Sequence, residues 1–150
     1  KDVALEALLR RETGRFFDSV AGRLAQVDTL EDTVVIGIVE AARFLRGHAP
    51  LQYLLVHEPD RLLPSSAVDG LDRAYSIATA FTLPHLRPYM ADDASAAAGA
   101  EWLVRQFFSY ALVPSSAVDL ADEADVRRFA RSFILPALVA APPTDTHQES

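Results

Sequence analysis

"GAEWLVRQFFSYALVPSSAVDLADEADVRRFARSFILPAL", residues 99–138, decides the fold class. It contains no stretch of period-two alternation long enough for a strand. Its opening belongs to a helix that starts in "DDASAAAGAEW", where Asp92, Asp93 and Ser95 are the candidate caps. From Trp102 onward that helix is apolar on every side except one strip, on which Glu101 and Arg105 form an i,i+4 pair. Pro114 ends it. The closing "DEADVRRFARSFILPAL" places Val126, Phe129, Phe133 and Ala137 on one apolar stripe, with Arg127, Arg128 and Arg131 mostly off it. Acids lead this helix and arginines follow, the order that the helix dipole favours.

The same reading extends toward the N-terminus. Leu5, Leu9, Phe16, Val20, Leu24 and Val27 recur at helical spacing, which predicts an amphipathic helix over about the first 26 residues. In "TLEDTVVIGIVEAARFLRGH", Thr29 with Asp32 makes a capping box and Gly47 a C-terminal stop. The segment between them has little polar surface, as a central helix should. A short helix is expected from Pro50, stopped by Pro59, with one more turn in "DRLL". A longer one is expected from about Val68 through Tyr75 and Phe81, broken near Thr82 or Leu83 because Pro84 lacks a backbone N–H. The sum is an all-α helical bundle of about six helices, one domain over residues 1–140, with a disordered tail over 141–150.

"PSSAVD" occurs twice, at Pro64–Asp69 and Pro114–Asp119. A true repeat would carry its flanks with it. "HEPDRLL" precedes one copy and "FFSYALV" the other, and the following residues differ as well. Each copy has a proline where a helix must end, serines that can bond backbone, and an aspartate near the next helix start. The doublet is shared punctuation, not a solenoid repeat.

Composition narrows the function. The chain has 150 residues, 50% hydrophobic and 23% charged, with a formal net charge of −7. That length suits one domain able to bury about 68–70% of its unfolded surface. Nucleic acid is held chiefly by Lys and Arg on phosphate, so an acidic chain is a poor candidate to bind it alone. The absence of cysteine excludes disulfides, thiol catalysis and Cys-based zinc sites, and suits the cytoplasm. No apolar run approaches the roughly 20 residues of a membrane helix. The chain opens directly in helical pattern, without an initiator Met or a signal-peptide layout, so an upstream segment is expected to have been removed or to be absent.

Catalytic signals are missing. His48, His57, His85 and His147 are scattered and form no metal-binding pair, and no GxSxG, P-loop or GxGxxG occurs. Asp119, Asp122, Glu123 and Asp125 lack the glycine and spacing of a calcium loop and read as a helix N-terminus. No catalytic residue, metal or cofactor is assigned. Phe16, Val20, Tyr53, His57, Tyr75, Trp102, Gln106 and Tyr110 are the candidate ligand-pocket residues, because rings with one polar handle line small-molecule sites. The helix containing "WLVRQFFSYALV" cannot bury all its faces against one layer, and the last helix adds a second apolar stripe. Pairing with a second copy would form a four-helix bundle across a twofold axis. Phe107, Phe108, Ala111, Val126, Phe129, Phe133 and Ala137 are the candidate dimer residues.

Residues 99–138 resemble the C-terminal part of TetR-family transcriptional regulators, notably the actinobacterial ones, through the string "EWLVR…SY…P…VDL…VRR". "RRETGRFFDSVAGRLAQVDTLEDTVVIGIVEAARFLRGHAPLQYLLVHEP" is similar to the first helices of the same regulatory domain. The likeness covers nearly the whole chain to about residue 138. It implies an effector-binding and dimerisation domain whose last two long helices form the dimer and whose preceding helices enclose a small, apolar effector. It also implies operator binding through an N-terminal helix-turn-helix, which this chain does not contain. Ligand occupancy would be transmitted by the first helix, Lys1 to Val27. The expected function is therefore the sensor domain of a cytoplasmic, homodimeric TetR-like repressor. The alternative is a stand-alone helical binding protein for hydrophobic small molecules. A helical enzyme is the third and least supported class.

Overall fold

The computed structural model describes residues 2–49 and 65–139. Among them the chain is helical and contains no strand. Helix α1 is Asp2–Leu24, α2 Leu30–Gly47, α3 Ser65–Leu86, α4 Asp93–Leu112, α5 Glu123–Phe129 and α6 Leu135–Val139. A 3-10 turn, Arg87–Tyr89, follows α3, and a π-helical segment, Ala130–Ile134, joins α5 to α6 into one rod. The all-α class is therefore established. The short helix expected from Pro50, and the tail beyond Ala140, lie outside the described residues.

Helix α2 is the centre. Thr29 Oγ1 accepts the Asp32 N–H at 3.1 Å, which satisfies one orphan donor of the first turn. The other half of the expected box is replaced, since the Asp32 carboxylate bonds Arg127 at 2.7 Å. Thr33, Val34, Val35, Ile38, Val39 and Ala42 are buried, covering most of the helix circumference. The helix stops at Gly47 with His48 N–H donating to the Leu45 carbonyl at 3.4 Å, and without any left-handed residue.

Three layers cover α2. Helix α1 docks through Val20 and Leu24, both buried, and through Phe16, whose ring stacks on Phe44 at 4.4 Å. Glu12 Oε2 meets His48 Nε2 at 2.6 Å, and Arg23 pairs with Glu40. Helices α3 and α4 pack on one another, and α4 joins the core through Ala100, Leu103 and Val104. Gly99 sets the spacing there: a Cβ on it would lie 3.2 Å from both Leu138 Cδ2 and Met90 Cε. The third layer is the last rod, which adds Val126, Ala130, Ile134 and Leu138. Each fully buried Val or Leu contributes about 1.5–3 kcal/mol.

Two sequence expectations are corrected. Helix α3 runs through Pro84 without a break. Ala80 and Pro84 are both exposed residues, which lets water replace the donor that the Ala80 carbonyl loses, and the helix ends two residues later. The last helix does not bury the stripe Val126, Phe129, Phe133, Ala137. Leu135 N–H donates to the Ala130 carbonyl, an i→i+5 bond that widens the turn and advances the register. Val126, Ala130, Ile134 and Leu138 point inward, while Phe133 is 64% exposed and Ala137 is exposed. Pro136 supplies the cause, because its ring would collide with the Ser132 carbonyl in a regular α-turn and it has no N–H to offer.

Ion pairs lock both ends of α2 to the C-terminal third. At its start, Arg127 Nη1 reaches Asp32 at 2.7 Å and Glu31 at 2.9 Å, and Arg131 Nη2 reaches Glu31 at 2.8 Å. Arg131 and then Arg127 hold the Glu31 carboxyl below its ordinary range, Arg127 and Thr29 do the same for Asp32, and these acids raise the Arg127 guanidinium. At its end, Arg46 pairs with Asp119 at 2.8 Å and Arg43 Nε donates to the Ala121 carbonyl at 3.2 Å.

Candidate functional site

Among the described residues, a wide-mouthed cleft of about 420 Å³ lies between α3 and α4. Helix α3 presents Tyr75, Ser76, Thr79, Ala80 and Leu83, which fall on one face at spacings of one, three or four. Helix α4 presents Ala97, Glu101 and Arg105, each four residues on from the last. The small residues on both helices create the space. Ligand pockets generally measure about 300–1,000 Å³, so the volume suits a small molecule.

The rim is built around Arg105. Its Nε donates to Glu101 Oε1 at 2.9 Å, and its guanidinium carbon lies 5.4 Å from the centre of the Tyr75 ring. Tyr75 is itself held from behind by Phe108, with ring centroids 4.7 Å apart. Two contacts thus orient the guanidinium, which stays 62% exposed. Ser76 and Thr79 supply hydroxyls, and Ala80, Leu83 and Ala97 the apolar surface. Below the cleft, the Phe81 ring faces Phe17 of α1 at 4.7 Å and His85 at 4.9 Å. Burial pushes the His85 imidazole below its ordinary value.

A second, smaller space lies inside the bundle. About 20 Å³ is enclosed by apolar side chains of α2, α4, the loop before α5 and the last rod, together with Gln106 and Tyr110. That admits one water and no larger guest.

The expected pocket residues therefore separate. Tyr75 lines the cleft, whereas Gln106 and Tyr110 line the small void. Trp102 packs against the core, Phe16 is stacked on Phe44, and Val20 is 2% exposed. Tyr53 and His57 lie outside the described residues. Ser76, Thr79, Ala80 and Ala97 had no sequence signal beyond their small size on facing helices, Leu83 had none as a pocket residue, and Glu101 with Arg105 read as a surface pair.

The expected dimer residues separate too. Val126, at 1% exposure, belongs to the protomer's own core and leaves no surface for a second copy. Phe107 and Ala111 pack on that core, and Phe108 on Tyr75. Phe129 is sandwiched between Tyr110 at 5.3 Å and Phe133 at 5.1 Å. Phe133 and Ala137 remain open, and Leu112, Val113 and Val139 are exposed at 44%, 73% and 60%.

The acidic cluster is engaged in helix capping and ion pairs. Asp122 Oδ1 accepts the Asp125 N–H at 2.8 Å, Asp125 pairs with Arg128 at 2.6 Å, and Glu123 with Arg127 at 3.1 Å. Among the described residues no group of three or more His, Asp or Glu side chains is arranged to hold a metal ion, and no helix is long and apolar enough to cross a membrane. No protein-family model matches this sequence, and no curated protein or solved structure matches it.

Proposed function

We propose that the chain is the effector-binding and dimerisation domain of a TetR-like transcriptional regulator, with the α3–α4 cleft as its receptor. The observation that carries this reading is that one helix serves two sites. Helix α3 forms a wall of the cleft through Tyr75, Thr79 and Leu83, and it touches α1 through Phe81 and Phe17. A molecule wedged between α3 and α4 displaces α3, and the ring pair passes that displacement to α1. Coupling of this kind typically amounts to about 1–3 kcal/mol, or 5–150-fold in affinity.

Self-association is supported by the apolar side chains left at the water surface near the end of α4 and along the last rod. A row of rings leads from exposed Phe133 through Phe129 to Tyr110, two residues before Leu112. Pairing of two copies over this surface would remove it from water. The role is one of binding rather than turnover, in the cytoplasm. Operator DNA would be held by a helix-turn-helix ahead of α1, since this chain carries a net charge of −7.

The test is DNA release by the full-length gene product. Compounds that bind in the cleft should weaken operator binding by roughly 5–150-fold, and Phe81→Ala should shrink that ratio without abolishing ligand binding. Ligand binding with no DNA binding would identify a stand-alone carrier. DNA affinity indifferent to every bound compound would overturn the sensor reading.

A further inference from the structure

The geometry points to an uncharged amphiphile as the occupant of the α3–α4 cleft: an apolar body carrying one hydroxyl or carbonyl head. This rests on the cleft being the receptor, and it concerns the chemistry of the guest.

The charge on the rim is already balanced. Arg105 brings one positive charge and Glu101 one negative charge, joined at 2.9 Å, and Arg105 is additionally settled over the Tyr75 ring. A carboxylate approaching Arg105 meets Glu101 beside it, and an ammonium approaching Glu101 meets Arg105. The two side chains are 62% and 58% exposed, so an ion that meets this already neutral rim gives up hydration and gains no net opposite charge in return.

A neutral head meets no such opposition. The Arg105 Nη groups and the second Glu101 oxygen have no hydrogen-bond partner among the described residues, so a hydroxyl can accept from one and donate to the other. The Ser76 and Thr79 hydroxyls on the facing wall make no hydrogen bond to a described residue either, and offer a second polar point. Between these points the surface is methyl and methylene from Ala80, Leu83 and Ala97. That is a surface for an alkyl or alicyclic body.

Three probes with the same tail separate the possibilities: 1-octanol, octanoate and octylammonium, titrated calorimetrically into the chain. Octanol should bind roughly tenfold or more tightly than either ion. Ala97→Phe and Ala80→Phe fill the cleft from opposite walls. Both positions are exposed, so the helical circular dichroism and melting temperature should be kept while octanol binding drops at least about tenfold. Glu101→Gln leaves the Arg105 charge unbalanced and should turn the preference toward octanoate. If an ion binds best and both filling variants abolish its binding, the uncharged-guest inference is overturned while the cleft stands as receptor. If no probe binds, or binding ignores both filling variants, the receptor assignment falls with it.

Discussion

Phe17 and Phe81 hold their ring centroids 4.7 Å apart at an interplanar angle of 40°, joining the N-terminal helix to the helix that walls the cleft. Both rings are half-buried. Aromatic pairs in such tilted geometry are worth about 0.5–1.5 kcal/mol beyond the area they bury. A double-mutant cycle with Phe17→Leu and Phe81→Leu, read by urea denaturation, should return a coupling energy in that range. A value near zero would remove the mechanical link between α1 and the cleft.

Arg127 bonds Glu31 and Asp32 on α2 and Glu123 on its own helix. Arg127→Ala leaves those carboxylates facing one another and should lower the melting temperature, more at low salt than at high. Arg127→Lys should rescue only part of the loss, because a single ammonium cannot reproduce the fork. Equal melting of wild type and both variants across salt concentrations would show that the clamp contributes nothing.

Leu86, at 1% exposure, closes the core where α3 gives way to the 3-10 turn. Leu86→Ala should cost about 2–5 kcal/mol in urea denaturation, the range for a buried leucine whose site cannot collapse. Exposed Ile77 on the same helix provides the control, and Ile77→Ala should cost well under half as much.

Acid should unfold the chain in two stages. Burial depresses His85 from its ordinary value of 6.5. Above that pH it is neutral in both states; below it the unfolded chain takes the proton more readily, so stability begins to fall. Glu31, Asp32, Asp92 and Asp119 have folded-state values depressed below their ordinary 4.5 and 3.8. The stability they supply is present above those ordinary values and is lost as pH falls through the folded ones. His85→Gln should erase the first stage and leave the second, as read by thermal melts at stepped pH.

Phe133→Asp tests the surface pairing. The ring is 64% exposed in the protomer, so the substitution should leave helicity and melting of the isolated protomer nearly unchanged. Sedimentation at about 10 µM should show a dimer for wild type and a monomer for the variant. A wild-type monomer at that concentration would remove the bundle.

The helices were legible because their signals are local. Thr29 and Asp92 cap helices as their side chains dictate, accepting from Asp32 and Ser95, and Glu101 pairs with Arg105 as the spacing requires. The candidate site was much less legible. Of the rings and polar handles singled out for a pocket, Tyr75 reaches the cleft, while Gln106 and Tyr110, on the neighbouring helix face, turn to the interior. Periodicity states which residues share a face and not which neighbour that face meets. The π-helical turn before Pro136 shows the same limit, because one widened turn exchanged Phe133 for Ile134 at the core.

Helix content, caps and the all-α class were determined by the amino-acid order alone, through interactions spanning four residues or fewer. The twice-written hexamer shows what was not. Residues Ser65–Asp69 lie inside helix α3, whereas Ser115–Asp119 form a loop in which Ser115 Oγ accepts the Ala117 N–H at 3.0 Å, Val118 is buried, and Asp119 is paired with Arg46. Identical letters carry identical intrinsic preferences but sit between unlike flanks, and what holds the second copy as a loop is tertiary: the core that takes in Val118 and the arginine at the far end of α2. Only the packed chain contains those.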